Sequence, residues 1–200
     1  VFSRKILEQE LAGQKTRSKQ QSTMKGDVFS EKDVLYHAKA TRFVGYAKFA
    51  ETAKILKIVK GNAEIKKTNA GDEAVLILDK TPFYAESGGQ LGDSGEITKG
   101  KSVFEVFDTK KIGDVFVHIG KVKAGSFKAG EEVSAGVDRE NRLAIARNHT
   151  ATHLLQAALR KVLGPHVKQQ GSLVAQDRLR FDFTHFKDIS REELDRIEEV

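Results

Sequence analysis

Arg147-Asn148-His149-Thr150-Ala151-Thr152-His153 lies in the middle of a run from Arg139 to Leu163 that contains neither proline nor glycine. The run predicts a long helix with both ends signalled. Asp138 caps its start and Gly164-Pro165 stops it, glycine supplying a left-handed cap and proline preventing continuation. On a helix of about 3.6 residues per turn, histidines four positions apart share one face, separated by about 40° of arc. Projection places Ala151, Leu155, Ala158, Leu159 and Val162 on one stripe, with Thr152, His149, His153, Gln156 and Arg160 on a polar stripe roughly 150° away. The histidines are therefore not core filler. Two readings stay open on spacing: a solvated face that carries two histidines, or a ligand pair for one metal ion. Zinc peptidase chemistry is excluded, because it needs a glutamate directly after the first histidine and Thr150 stands there.

Beyond the helix, Val167, Gln169 and Gly171 are expected on one face of a strand. That arrangement would return Gln169 toward the histidines, the alternative being an exposed strand glutamine. Leu179, Phe181 and Phe183 alternate with Arg180 and Asp182, as in a strand with one buried face. His166 and His185 are set aside as metal ligands, since no helical or strand spacing ties them to the pair. Ser190-x-x-Glu193 is a capping box, and the helix it opens is expected still to run at Val200, the mark of a fragment.

Before the helix, from Thr41, the chain breaks into short β-rich pieces punctuated by turn residues: Thr41 to Tyr46, Ala53 to Val59, Ala63 to Lys67, Ala74 to Leu78, Ser102 to Phe107, Val115 to Val122 and Val133 to Val137. Many short strands with no long helix between them argue a small antiparallel barrel. The fold class is therefore α+β: N-terminal helices over residues 1–40, a barrel over 41–138, and over 139–200 the start of an α+β core that carries the histidine helix.

Inside the barrel segment stands Ser87-Gly88-Gly89-Gln90-Leu91-Gly92-Asp93-Ser94-Gly95. Its glycines permit positive φ and close backbone approach. It is no phosphate loop, as no Gly-Lys-Ser/Thr ends it. Taken alone it reads as a tight β-turn.

The first 25 residues hold six basic side chains against Glu8 and Glu10 and read as helical, with Ile6, Leu7 and Leu11 the apolar grip. A solvated connecting helix accounts for this segment better than an RNA-contacting one. Gly26-Asp27 breaks it, and Ser30-x-x-Asp33 opens a short helix expected to reach about Ala40. Glu8, Glu10 and the missing initiator methionine favour an internal cut over a targeting peptide. A net charge of +6 over 200 residues favours a polyanionic partner. No apolar run approaches a membrane span. Cysteine is absent, which excludes disulfides and removes the best zinc ligand.

Arg147-Asn148-His149-Thr150-Ala151-Thr152-His153-Leu154-Leu155 resembles the zinc motif in the editing domain of alanyl-tRNA synthetases. Thr81-Pro82-Phe83-Tyr84-Ala85-Glu86-Ser87-Gly88-Gly89-Gln90 resembles the glycine-rich motif of the barrel that precedes that domain. The segments His166 to Val174 and Asp177 to Phe186 are similar to the two strands that follow the histidine helix. These four motifs, in order, cover about residues 41 to 200.

The resemblance implies hydrolysis of wrongly charged tRNA, chiefly seryl- or glycyl-tRNA(Ala), within a larger cytoplasmic alanine–tRNA ligase. It implies His149 and His153 as two zinc ligands, with a cysteine and a histidine following beyond Val200. Thr152 and Gln169 would be catalytic, and Gly88, Gly89 and Gln90 would meet the substrate. ATP and magnesium would belong to an absent catalytic domain, and no DNA or membrane partner is implied. A free-standing editing deacylase and a nonenzymatic RNA-binding barrel remain as alternatives.

Overall fold

The computed structural model describes residues 38–200. The helix expected over the first 25 residues and the capping arrangement at Ser30 lie outside the described residues. Ala38–Ala40 are irregular rather than the last turn of a helix. There Thr41 already joins the barrel, its amide donating to Asp114 O (2.9 Å) and its hydroxyl to Leu78 O (2.9 Å).

The strands run β1 (Arg42–Phe43), β2 (Ala50–Lys60), β3 (Ala63–Ile65), β4 (Lys67–Asn69), β5 (Glu73–Leu78), β6 (Lys80–Thr81), β7 (Gly95–Lys99), β8 (Ser102–Ile112), β9 (Val115–Ala124), β10 (Ser126–Lys128) and β11 (Glu132–Val137). Six of them close a barrel in the order β2-β5-β9-β8-β7-β11, with β11 pairing back onto β2 and every pairing antiparallel. Closure removes the free edges that an open sheet would expose. β3 folds back on β2, β4 pairs with β10, and β1 pairs in parallel with β6.

Alternating strands supply part of the core, and β5 adds an unbroken buried run from Ala74 to Leu78. Ala53 and Ile55 point inward from β2; a register shift between Ile55 and Lys57 then resets the alternation so that Ile58 is buried as well. Leu76, Leu78, Phe83, Ile97, Phe104 and Phe127 fill the interior, the last two meeting edge to face at 6.2 Å. β7 was not among the expected strands. Its sequence, Gly-Glu-Ile-Thr-Lys, sends only Ile97 fully inward, too little apolar alternation to signal a strand. The expected strand from Thr41 to Tyr46 contracts to two residues, as the chain turns at Gly45–Ala47.

Polar side chains are buried in the barrel too, among them a histidine. His118 is fully buried, its Nδ1–H donating to Leu76 O (2.9 Å) and its Nε2 accepting from the Thr81 hydroxyl (2.7 Å). The carbonyl partner requires the proton on Nδ1, so the ring is held as one neutral tautomer. Burial pushes its pKa down to about 4, against a smaller upward effect of the Leu76 hydrogen bond.

After the barrel come α1 (Arg139–Leu163), β12 (Gln169–Val174), β13 (Leu179–Phe183) and α2 (Arg191–Glu198). Asp138 caps α1, accepting from Asn141 N at 3.0 Å, and Gly164 closes it at φ 117° with its N–H on Arg160 O. β12 and β13 form an antiparallel hairpin. Ala158 and Leu159 of α1 pack with Val167, Phe181, Phe183 and Ile197 in a second small core. Ser190 and Glu193 form the expected reciprocal capping box. The helix they open ends at Glu198 rather than running through Val200, its last turn closed by Glu199 N on Asp195 O.

Candidate functional site

Three elements converge where α1 leaves the barrel: the first half of α1, the C-terminal end of β12 and the glycine turn. Asn148, directly before the first histidine, donates its amide to Ala175 O at 2.8 Å. The glycine turn reaches the same end of β12 from the other side. Val174 N donates to Gly89 O (2.8 Å) and Leu91 N donates to Val174 O (3.1 Å), so Gln90 and Val174 form a parallel bridge.

The turn is built for that approach. Ser87 and Gln90 exchange backbone hydrogen bonds across Gly88 and Gly89, whose φ values are 61° and 84°. Two consecutive positive φ values are those of a tight hairpin turn that side chains oppose. At Gly89 a second constraint applies, because a Cβ there would lie 2.3 Å from Ser172 O. Gly88 is exposed, with open space where its Cβ would stand. The turn expected from the sequence is thus also the segment that seats the barrel motif on β12.

A buried ion pair holds α1 against the barrel. Arg142 Nε donates to both carboxylate oxygens of Asp93 at 2.8 Å, and its terminal nitrogens reach Gly45 O (3.0 Å) and Pro82 O (2.8 Å). Asp93 Oδ2 accepts in addition from Tyr84 N at 2.7 Å, and the Asp93 carbonyl accepts from the Thr109 hydroxyl. Sequence reading missed this pair. Asp93 stood in a glycine-rich turn and Arg142 on a charged helix start, and neither position signals a partner across the fold.

His149 and His153 are exposed on one face of α1, their ring centroids 5.0 Å apart and their planes 29° from parallel. Two imidazoles so placed fit a zinc ion as part of a ligand set. Among the described residues no group of three or more His, Cys, Asp or Glu side chains is arranged to hold a metal, so the pair stands as two donors.

Thr152 departs from the projection. It is buried at 6% exposure and donates its hydroxyl to Asn148 O at 2.8 Å, rather than standing on the exposed polar stripe. Ile145 and Leu159, seven residues to either side, are buried on the same line of the helix. A satisfied hydroxyl makes threonine tolerable there.

Gln169 also departs from its expected placement. Val167 is fully buried whereas Gln169 is exposed, so the two do not share a face. β12 starts only at Gln169, and a register shift between Gln169 and Gly171 inserts Gln170 as an extra residue, which breaks the alternation. Gln169 lies at the opposite end of β12 from the seat of the glycine turn, roughly 16 Å along the strand.

His166 and His185 are paired with each other, Nε2 to Nδ1 at 2.9 Å, and both rings stack on Phe186. The hairpin register carries part of that signal: Thr184 N on Lys168 O extends the ladder beyond Gln169 and Phe183, which brings His185 opposite Val167, next to His166.

Residues 3–141 match the family of class II (A) tRNA synthetases, and the chain belongs to that family. Its relatives within the family are alanine–tRNA ligases. That of Thermoanaerobacter sp. (strain X514) is 43% identical over 197 residues, covering 98% of this chain and 22% of the relative. Those of Hydrogenovibrio crunogenus and Acetivibrio thermocellus are 47% identical over 194 residues and 46% over 200, covering 97% and 99% of this chain. The chain spans about a fifth of the length of the curated relatives it matches. No helix among the described residues is long and apolar enough to cross a membrane.

Proposed function

We propose that this chain contributes the barrel (41–138) and the first part of the editing domain (139–200) to a cytoplasmic alanine–tRNA ligase. In this reading it helps hydrolyse the ester of seryl- or glycyl-tRNA(Ala), while the parent enzyme charges tRNA(Ala) with alanine using ATP. One observation carries the reading: the histidine segment and the glycine turn, remote in sequence, are both anchored by hydrogen bonds to the Val174–Ala175 end of β12. A binding barrel alone gives no reason for the two motifs to meet.

His149 and His153 would hold zinc together with a cysteine and a histidine from the sequence that follows in the parent. When bound, the metal supplies Lewis-acid polarisation or ordering of the pocket. The work of this chain's own residues is positional. Gly88, at the exposed apex, with Gly89 and Gln90 behind it, offers bare backbone to the tRNA terminus. The Thr152 hydroxyl is spent as a donor on Asn148 O. Its oxygen can still accept, which suits it to the hydroxyl of a misplaced serine and leaves alanine with nothing to donate. Gln169, exposed at the start of β12 and roughly 16 Å along the strand from the seat of the glycine turn, would meet the bound tRNA away from the ester rather than at its carbonyl. Serine and glycine differ from alanine by too little to be excluded in one binding step, so a second, hydrolytic site is the physical remedy.

The test compares this chain with one extended through the next Cys-x-x-x-His of the parent, measuring release of serine from seryl-tRNA(Ala) and bound zinc. Hydrolysis with about one zinc in the extended chain supports the reading. Absence of hydrolysis in both, with the extended chain folded and loaded with zinc, rejects it.

A further inference from the structure

Beside the glycine turn lies a cleft of about 660 Å³ that the site described above does not use. The volume is in the range of small-ligand sites, roughly 300–1,000 Å³. Its walls are aromatic. Phe43 stacks on Phe116 at 5.5 Å with planes 4° apart, and Tyr46 and Tyr84 approach Phe43 edge-on at 5.0 and 6.2 Å. Tyr46 is 91% exposed. A large ring left so open beside three others is poor packing for a core but a ready face for a planar partner.

Charge says what kind of partner. Lys111 stands 5.8 Å over the Phe116 ring and 3.5 Å from the well-exposed Asp114. It is the basic residue of the lining, against Glu86 and Asp114. Affinity there must come from stacking, with one phosphate contact at most.

Position says which end of the partner. Ser87 lines the aromatic cleft and is also the first residue of the turn through Gly88 and Gly89. We propose that the cleft stacks an unpaired nucleotide of a single-stranded RNA 3′ end whose terminus lies at the glycine turn. The proposal rests on the editing reading for the identity of that terminus. Tyr46 is the stacking face, Phe43 and Tyr84 set the wall, and Lys111 takes a phosphate.

The experiment measures binding of a 5′-labelled ribo-oligonucleotide ending in CCA to the full chain by fluorescence anisotropy. Tyrosine emission reports the location of the complex, since the chain has three tyrosines and no tryptophan. Stacking predicts quenched tyrosine emission, and an affinity that falls on the order of tenfold in Tyr46→Ala and returns in Tyr46→Phe. It also predicts little binding of an abasic oligonucleotide with the same phosphates. The salt slope should be shallow, about −0.7 for a single phosphate contact. His149→Ala should bind as the unaltered chain does. Unchanged affinity in Tyr46→Ala, equal binding of the abasic strand, or occupation of the cleft by a proline-rich peptide but not by RNA would each overturn the proposal. Seryl-tRNA hydrolysis by the extended chain separates the two readings. Hydrolysis together with Tyr46-independent RNA binding removes the cleft proposal alone. Tyr46-dependent stacking without hydrolysis removes the editing reading and leaves the stacking site standing.

Discussion

Arg142 of α1 and Asp93 of the barrel form an ion pair almost shut off from water, with side-chain exposures of 15% and 1%. The guanidinium spends its remaining donors on Gly45 O and Pro82 O, and the carboxylate also accepts from Tyr84 N. Asp93 follows the glycine turn by four residues and Arg142 precedes His149 by seven, so the pair connects the segments that carry the two candidate motifs. Removing one partner leaves a buried charge unpaired. Arg142→Ala is expected to cost about 3–5 kcal/mol, and replacement of both residues by apolar ones considerably less. Denaturant unfolding of the two single variants and the double variant measures the difference.

Gly88 and Gly89 separate two effects that a glycine can have. Gly88→Ala meets only the positive φ of 61° and should cost about 1–2 kcal/mol. Gly89→Ala adds a Cβ against Ser172 O, so the turn must lift from β12. Its cost should be clearly the larger. The amide of Val174 should then exchange faster with solvent, because its bond to Gly89 O is lost. Hydrogen exchange at Val174 in both variants checks this.

His118 sets a pH dependence. Its pKa is pushed down to about 4 in the fold, below the value near 6.5 expected when unfolded. Between those values the unfolded chain binds the proton and the folded chain does not, so stability rises with pH. The His118 contribution is full above pH 6.5 and is lost as the pH falls toward 4, by up to about 3 kcal/mol. Glu51 acts in a lower window. Hydrogen bonds from Lys48 and Lys80 hold its carboxyl well below the usual range, so its contribution is present above pH 4.5 and lost on further acidification. Unfolding free energy measured from pH 7 to 4 should fall, and in His118→Leu that part of the slope should disappear.

Asn148 links the histidine segment to β12. Asn148→Ala removes the donor to Ala175 O, a loss of about 1–3 kcal/mol if the carbonyl stays buried. Asn148→Asp replaces that donor with an acceptor and should be at least as damaging. Thermal unfolding of both variants tests the order.

Local signals were legible in the sequence. Asp138, Gly164 and the Ser190–Glu193 box act within one helical turn, and each caps the helix as its residue type requires. The barrel was legible as a class because its strands are short, β-rich and bounded by turn residues; β5 is an unbroken apolar run, whereas β7, where Ile97 alone is fully buried, gives too little signal. What was not legible depends on partners distant in the chain, as the pairing of Arg142 with Asp93 does. Thr152 was legible in the spacing: seven residues from both Ile145 and Leu159, it lies about 20° from their line and about 60° from His149, and only its polar residue type put it on the histidine stripe. The bulge at Gln170 re-aims the start of β12, and Gly171 beside it is the one local mark that announces it. The histidine pair remains where its spacing puts it, on one exposed face.

The most direct measurement is made on the parent-length enzyme with His149 and His153 both changed to alanine, following hydrolysis of seryl-tRNA(Ala) and, separately, charging of tRNA(Ala) with alanine. The double variant should lose hydrolysis by at least tenfold and about one bound zinc, and should charge tRNA(Ala) close to the level of the unaltered enzyme. Hydrolysis that survives the double substitution at its original rate would contradict the editing reading.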